Sequence, residues 1–235
     1  MKIKELLSIG LSTIFFTALC WFLIHHVQMM PEAAAHEALI VDRAFDGMLK
    51  VTLPIFALVL SMLLYILFCF SSKGQGGEGV KFYGSRNGIV ETAWISVSLV
   101  LTLALAAFGS KEFMEIRGSD QADLNIQVKA AQFSWEFYYP EQSVYSHQLI
   151  LPKDKRVRIL LSSEDVVHCF WVPEFRVKQD IVPGKIIKLL FTPTKIGDYT
   201  LLCAELCGMD HTVMTAPVKV VADDGFLSQI KAEAW

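Results

Sequence analysis

The sequence is poor in charge. Asp, Glu, Lys and Arg make up 19% of its 235 residues, and 24 acids against 21 bases leave a formal net charge of −3. No run of basic residues interleaved with aromatics occurs, which excludes the electrostatic footprint of a nucleic-acid binder. Cysteine is sparse and odd in number, five in all, which argues against a complete disulfide framework. There is no C-x-x-C-H sequence, which excludes covalent c-type haem attachment. There are no internal repeats. Apolar residues, by contrast, are abundant: 53% of the chain, with a mean hydropathy of +0.43. That is too apolar for an ordinary soluble domain, and the chain is too long for a single membrane helix. Part of it belongs in lipid and part in water.

The apolar mass lies in three uncharged runs, Leu6–Ile24, Val51–Phe70 and Ala93–Gly109. Each is about the length that crosses a hydrocarbon layer, roughly 17 to 20 residues. None shows the polar stripe of a helix packed on a soluble core. The first, over residues 1–26, reads in two ways. Lys2 and Lys4 ahead of it and the small-residue stretch "PEAAAHE" behind it also fit a signal peptide, so this helix is expected either to stay in the membrane or to be cleaved. Flanking charge sets the orientation. Residues 27–50 carry Glu32, Glu37, Asp42 and Asp46 against Arg43 and Lys50, whereas residues 71–90 carry Lys73, Lys81 and Arg86 against Glu78. The excess of Lys and Arg places the N-terminus and the 71–90 loop in the cytoplasm, with 27–50 an external connection. Residues 51–110 then form a transmembrane hairpin, and residues 111–235 lie outside. The membrane is expected to be a bacterial plasma membrane, with the C-terminal domain on its periplasmic side.

From about Lys111 the pattern changes to period two, as in "DLNIQVKAAQF" with Leu124, Ile126 and Val128. Further short runs ("VRILL", "GKIIKLLF", "APVKVV") are separated by "LPKDK", "IVPGK" and "TPTKIGDY". Short strands punctuated by Pro and Gly indicate an all-β sandwich or Greek-key barrel. The tail "DDGFLSQIKAEAW" reads as a short amphipathic helix capped by Asp223 or Asp224.

Between the last two strand patterns lies "CAELCGMDHTVM", Cys203 to Met214. Four readings are open: a disulfide, a zinc clip, one face of a helix, or a copper site. Gly208 and the flanking strands favour a loop over a helix. A Cys203–Cys207 disulfide leaves His211 and Met214 unexplained. Zinc accepts thiolates and imidazole but has little use for a thioether, whereas soft Met beside Cys and His favours copper. An upstream histidine, His168 in "SSEDVVHCFWVP", supplies a further nitrogen. Cupredoxins, β-sandwich copper proteins, use this combination of a late Cys–His–Met loop and an upstream His.

From Val51 to its end the sequence resembles subunit II of the haem–copper oxidases, the chain that carries the dinuclear copper centre CuA. The resemblance rests on the two-helix hairpin, the aromatic strand "AAQFSWEFYYP", the segment "LPKDKRVRILLSSEDVVHCFWVPEFRVKQDIVPG" and the motif C-x-E-x-C-x-x-x-H-x-x-M. It implies a cupredoxin-like Greek-key sandwich outside the membrane on a helical hairpin, with one additional N-terminal helix. It implies that Cys203 and Cys207 bridge two coppers, that His168 and His211 bind one each, and that Met214 and the Glu205 carbonyl are weak ligands. The Glu205 carboxylate would meet a magnesium ion at the interface with subunit I. The implied function is to accept electrons from cytochrome c or a similar periplasmic donor and pass them to subunit I for O2 reduction. The alternatives are the CuA chain of a nitric oxide reductase and, in a different class, a membrane-anchored copper-binding or delivery protein.

Other positions have weaker signals. The resemblance places Glu91, in "IVETAW", at a proton-path entrance; its plain reading is a carboxylate at a helix N-terminus. Glu164 and Asp165 read as solvated turn residues, and in the family belong to an acidic docking patch. "KDKRVR", close by in sequence, predicts a docking surface of mixed charge. Where the family has Q-W-x-W, this chain has Gln132, Phe133, Ser134 and Trp135, so the residues that could take up electrons are Phe133, Trp135 and Trp171. Cys20, Cys69 and Cys169 read as small apolar residues, and His25 and His26 as interfacial.

Overall fold

The computed structural model describes residues 3–27, 30–69 and 88–234. The expected cytoplasmic loop, with Lys73, Glu78, Lys81 and Arg86, lies outside the described residues up to position 87, as does Lys2. The chain divides into two compact units, Met1–Met30 with Arg43–Lys111, and Pro31–Asp42 with Glu112–Trp235.

Three helices, α1 (Ile3–His26), α2 (His36–Cys69) and α3 (Gly88–Arg117), are each long and apolar enough to cross a membrane. Their apolar side chains are largely uncovered: Phe15, Val59, Ile95 and Val100 are all more than 59% exposed. In water that surface would cost about 25 cal/mol per Å2; in lipid it costs nothing. Within the first unit α2 and α3 approach closely at Gly47, where a Cβ would come within 2.8 Å of the Phe108 ring. Pro54 sits inside α2, a position tolerated better in membrane helices than in soluble ones.

The second unit is a β-sandwich. Its strands are β1 (Leu124–Ala131), β2 (Ser134–Tyr139), β3 (Val144–Ser146), β4 (Leu149–Pro152), β5 (Val157–Ser163), β6 (His168–Val172), β7 (Val177–Ile181), β8 (Ile187–Phe191), β9 (Gly197–Cys203) and β10 (Thr215–Val221). They form two five-stranded sheets, ordered β3-β2-β1-β5-β8 and β4-β10-β9-β6-β7. Alternation decides the faces as expected: Leu124, Ile126, Val128 and Ala130 are buried while the residues between them are not. The strand-crossing pairs β1–β5 and β4–β10 are parallel, the others antiparallel. The final helix α4 (Asp223–Ala232) buries Phe226 and Ile230. Its N-cap is Ala222 without a side-chain bond, so Asp223 and Asp224 are not caps; they occupy the first turn, where the helix dipole favours them.

Residues 27–50, expected as a connection, are helical from His36, and part of the segment belongs to the sandwich. Ala34, Ala35 and Ala38 are at most 1% exposed. Ala35 bridges Pro193, and Thr194 N–H donates to Ala34 O at 2.8 Å. Glu37, 1% exposed, accepts from Thr192 N–H at 2.8 Å and from Arg156 at 3.3 Å. Arg176 pairs with Asp42 at 2.9 Å. Alanine suits this strap because a larger side chain would hold its backbone off the sheet.

Candidate metal centre

The sandwich brings the His168 strand beside the cysteine strand, with Phe170 of β6 opposite Cys203 of β9. Beyond Cys203 the chain leaves the sheet and returns at Met214. The mouth of this loop is closed by Cys203 N–H donating to Met214 O at 3.1 Å, and Ala204 N–H bonds back to Cys169 O at 3.0 Å. A short 3-10 turn, His211–Val213, sets the imidazole and then the thioether inward. Gly208 makes the reversal possible: its φ of +148° is one that side chains rarely adopt.

Five predicted side chains meet here. The Cys203 and Cys207 sulfurs are 3.9 Å apart, nearly twice the S–S bond length of about 2.05 Å, and both cysteines are free. His168 Nδ1 is 3.8 Å from Cys203 Sγ; His211 Nδ1 is 3.6 Å from Cys207 Sγ; Met214 Sδ is 3.6 Å from Cys207 Sγ. The Glu205 carbonyl lies 3.3 Å from Cys203 Sγ. Metal bonds of about 2.0 Å to nitrogen and 2.3 Å to sulfur put two ligands of one ion roughly 3.3–3.9 Å apart, so each of these neighbouring pairs is spaced to share an ion. His168, Cys203 and Cys207 form a group with all ligand atoms within 4.8 Å. His168 and Met214 are fully buried, and Cys203 and Cys207 nearly so. Burial and then the neighbouring Cys203 push the Cys207 thiol up to about 11, so a metal has to displace its proton.

Asp165, expected as a solvated turn residue, points at this centre. Its Oδ1 lies 2.8 Å from His168 Nε2, and it accepts the backbone N–H groups of Val166 at 2.6 Å and Gln132 at 2.7 Å. Burial alone would raise its carboxyl. The bonds from His168, Gln132 and Val166 outweigh that and hold it down to about 2. With Nε2 engaged, Nδ1 is the nitrogen left to a metal. Only the spacing Asp165-x-x-His168 could have signalled this in the sequence.

Comparison with known proteins follows the same line. The family model described as cytochrome C oxidase subunit II, periplasmic domain, matches residues 140–221. Cytochrome c oxidase subunit 2 of Thermostichus vulcanus is 28% identical over a 264-residue alignment covering 89% of this chain and 80% of that one. The corresponding protein of Cereibacter sphaeroides is 25% identical, covering 79% and 74%. The crystal structure of the periplasmic domain of subunit II of cytochrome oxidase from Bradyrhizobium japonicum is 29% identical, with a TM-score of 0.46, covering 48% of this chain and 94% of that one. The chain is similar to cytochrome c oxidase subunit II over most of its length, and residues 140–221 match the periplasmic domain of that family.

The remaining positions that the subunit II resemblance singled out are spread through the structure. Phe133 is half-buried, its ring against Gly208 of the metal loop. Trp135 is 3% exposed and presents an edge to His168 with ring centres 6.3 Å apart; it is a core aromatic beside the site. Trp171, on β6, is 36% exposed. Glu91 lies in the first turn of α3. The bases of "KDKRVR" do not share a surface with Glu164 and Asp165; the base beside Glu164 is Lys129. "KDKRVR" leads into β5, whereas Glu164 and Asp165 follow its far end, roughly 23 Å away for seven extended residues. Lys155 pairs with Asp223, Arg156 with Glu37, and Glu164 with Lys129. Burial and then Asp180 push the Cys169 thiol up to about 12, in keeping with a small apolar residue.

Proposed function

We propose that this chain is the electron-accepting subunit of a respiratory terminal oxidase, anchored in a bacterial plasma membrane with its sandwich on the periplasmic side. It takes electrons from cytochrome c or a similar donor at a dinuclear copper centre and passes them to subunit I. The observation that carries this reading is the paired donor set: two sulfurs 3.9 Å apart, each with its own imidazole nitrogen within 3.8 Å. The group that a single ion could gather, His168, Cys203 and Cys207, leaves out His211. Copper held by His168, Cys203, Cys207, His211 and Met214 would supply one-electron transfer with little change in bond lengths. The protein holds the ligands in place and keeps water out: the loop is pinned at its mouth, His168 is fixed by Asp165, and Trp135 and Phe170 pack behind them. No side chain here is placed to activate water or attack a substrate, so this chain's part is electron transfer.

The same reading gives Glu205 two roles, its carbonyl toward copper and its exposed carboxylate toward a magnesium ion shared with subunit I. It also gives Glu91 the entrance of a proton path in that partner. The donor would approach over Phe133 or Trp171 and the exposed loop residues Leu206 and Met209, which are 78% and 95% exposed. The test is metal loading of the full chain in detergent. Two coppers per chain, reduced rapidly by a c-type cytochrome, are expected. One copper, stoichiometric zinc, or copper that exchanges freely and is not reduced would overturn the reading, the last in favour of a copper-delivery protein.

A further inference from the structure

The turn between β1 and β2 places a residue against both halves of the metal centre. Gln132 N–H donates to Asp165 Oδ2 at 2.7 Å, and Oδ1 of the same carboxylate holds His168 Nε2 at 2.8 Å. The Gln132 side-chain Nε2 donates to the carbonyl of Cys207. The two ligand-bearing segments, the start of β6 with His168 and the β9–β10 loop with Cys207, are thus joined through one residue that belongs to neither. The contact is tight: a Cβ on Gly208 would come within 2.8 Å of that amide nitrogen.

We propose that Gln132 is a positioning residue of the metal centre, clamping the Cys207 carbonyl to the Asp165–His168 pair so that the two Cys–His halves keep one separation. This rests on the dinuclear reading above. The physical reason is that an electron shared evenly by two ions needs two matched ligand fields. The His168 half is anchored in a sheet, but the Cys207 half sits on a loop. A donor fixed by the turn removes the loop's freedom to rotate the Cys207 sulfur about its backbone. Partners of this kind, which touch a ligand and not the metal, are worth about 10- to 100-fold in metal affinity.

The experiment uses the full chain in detergent, loaded with copper. Gln132→Leu removes the side-chain donor and keeps the backbone N–H on Asp165; Asp165→Ala removes the other half of the clamp; Asp165→Asn retains an acceptor. Copper affinity is read by chelator competition, electron sharing by the copper hyperfine pattern, and folding by the melting temperature of the copper-free protein. Gln132→Leu is expected to weaken copper binding about 10- to 100-fold and to shift the hyperfine pattern toward a localised electron, with the copper-free melting temperature unchanged. Asp165→Asn is expected to recover more affinity than Asp165→Ala. The double variant Gln132→Leu/Asp165→Ala is expected to lose less than the product of the single losses, because both act through one clamp. Unchanged affinity and hyperfine pattern in Gln132→Leu, or fully multiplicative losses in the double variant, would overturn the clamp. If Gln132→Leu does not fold, Gln132→Asn, which keeps the amide one carbon short, is held to the same outcomes. Failure of the unsubstituted chain to take two coppers would instead overturn the dinuclear reading itself.

Discussion

The ring of Phe133 lies against the Cα of Gly208, so closely that a Cβ on Gly208 would sit 2.9 Å from Phe133 Cε1 and Cζ. Two constraints meet at this glycine, a φ of +148° and the absence of space. Gly208→Ala therefore incurs backbone strain of order 1–3 kcal/mol and must also displace Phe133 or the loop. The expected outcome is a domain that still folds but loads copper poorly, read as a melting temperature a few degrees lower and a copper content well under two per chain. A Gly208→Ala chain with normal copper content and spectrum would show that the loop is not held by this contact.

The strap makes a second prediction. Glu37 is buried in the second unit, where it satisfies Thr192 N–H and pairs with Arg156, whose side chain is 22% exposed. Glu37→Ala leaves an amide and a guanidinium short of a partner. Breaking a buried pair from one side costs about 3–5 kcal/mol, and partial exposure of Arg156 lowers that to about 2–3 kcal/mol. Thermal unfolding of the sandwich, followed by tryptophan fluorescence, should shift downward accordingly, and a fragment beginning after Asp42 should show the same weakness. Equal stability with and without residues 31–42 would mean that the strap merely rests on the sheet.

What the sequence made legible follows from its periodicities. Uncharged runs and period-two alternation identify the three long helices and strands such as β1, because lipid and sandwich core each impose a pattern on every residue. The donor set was legible as a motif because ligands must have particular chemistry. The strap was not: the alanines of "PEAAAHE" have the small side chains that packing on a sheet requires and that a cleavage site also favours. Asp165 is the exposed turn residue that "SSED" suggests, but nothing in that pattern gives its distance to His168. "KDKRVR" was misplaced because an extended strand carries neighbours in sequence to opposite ends of a sheet. Contacts between distant segments, such as Gln132 with Cys207, leave no local pattern.

Met214 gives a prediction about electronic tuning. It is fully buried with its sulfur 3.6 Å from Cys207 Sγ. Met214→Leu conserves volume and should cost less than about 1.5 kcal/mol of stability. On the proposed dinuclear reading Met214 is a weak ligand, so its loss should leave both coppers bound, because the thiolates and imidazoles remain, but shift the reduction potential of the centre, which weak ligands of this kind tune. Voltammetry of the loaded protein checks this. An unchanged potential would remove Met214 from the ligand set, and complete loss of copper would make it a strong ligand.

Tyr139 tests the sandwich itself. Its fully buried hydroxyl donates to Ile150 O at 3.1 Å and accepts Ile150 N–H at 2.7 Å, joining β2 of one sheet to β4 of the other. Burial raises its ionisation well above the ordinary value of 10.0, although the N–H donated by Ile150 acts in the opposite sense. The folded state therefore holds a proton that the unfolded chain gives up near pH 10. Stability from this group is complete below that pH and declines as pH rises through and beyond it. Tyr139→Phe strands both Ile150 backbone groups and should cost about 1–3 kcal/mol at neutral pH. It should also flatten the alkaline decline, because the phenol that drives it is gone. Denaturant midpoints at pH 7 and pH 10.5 for both proteins measure the two effects together. If Tyr139→Phe retains the full alkaline decline, another group drives it and the hydroxyl bridge is only a packing contact.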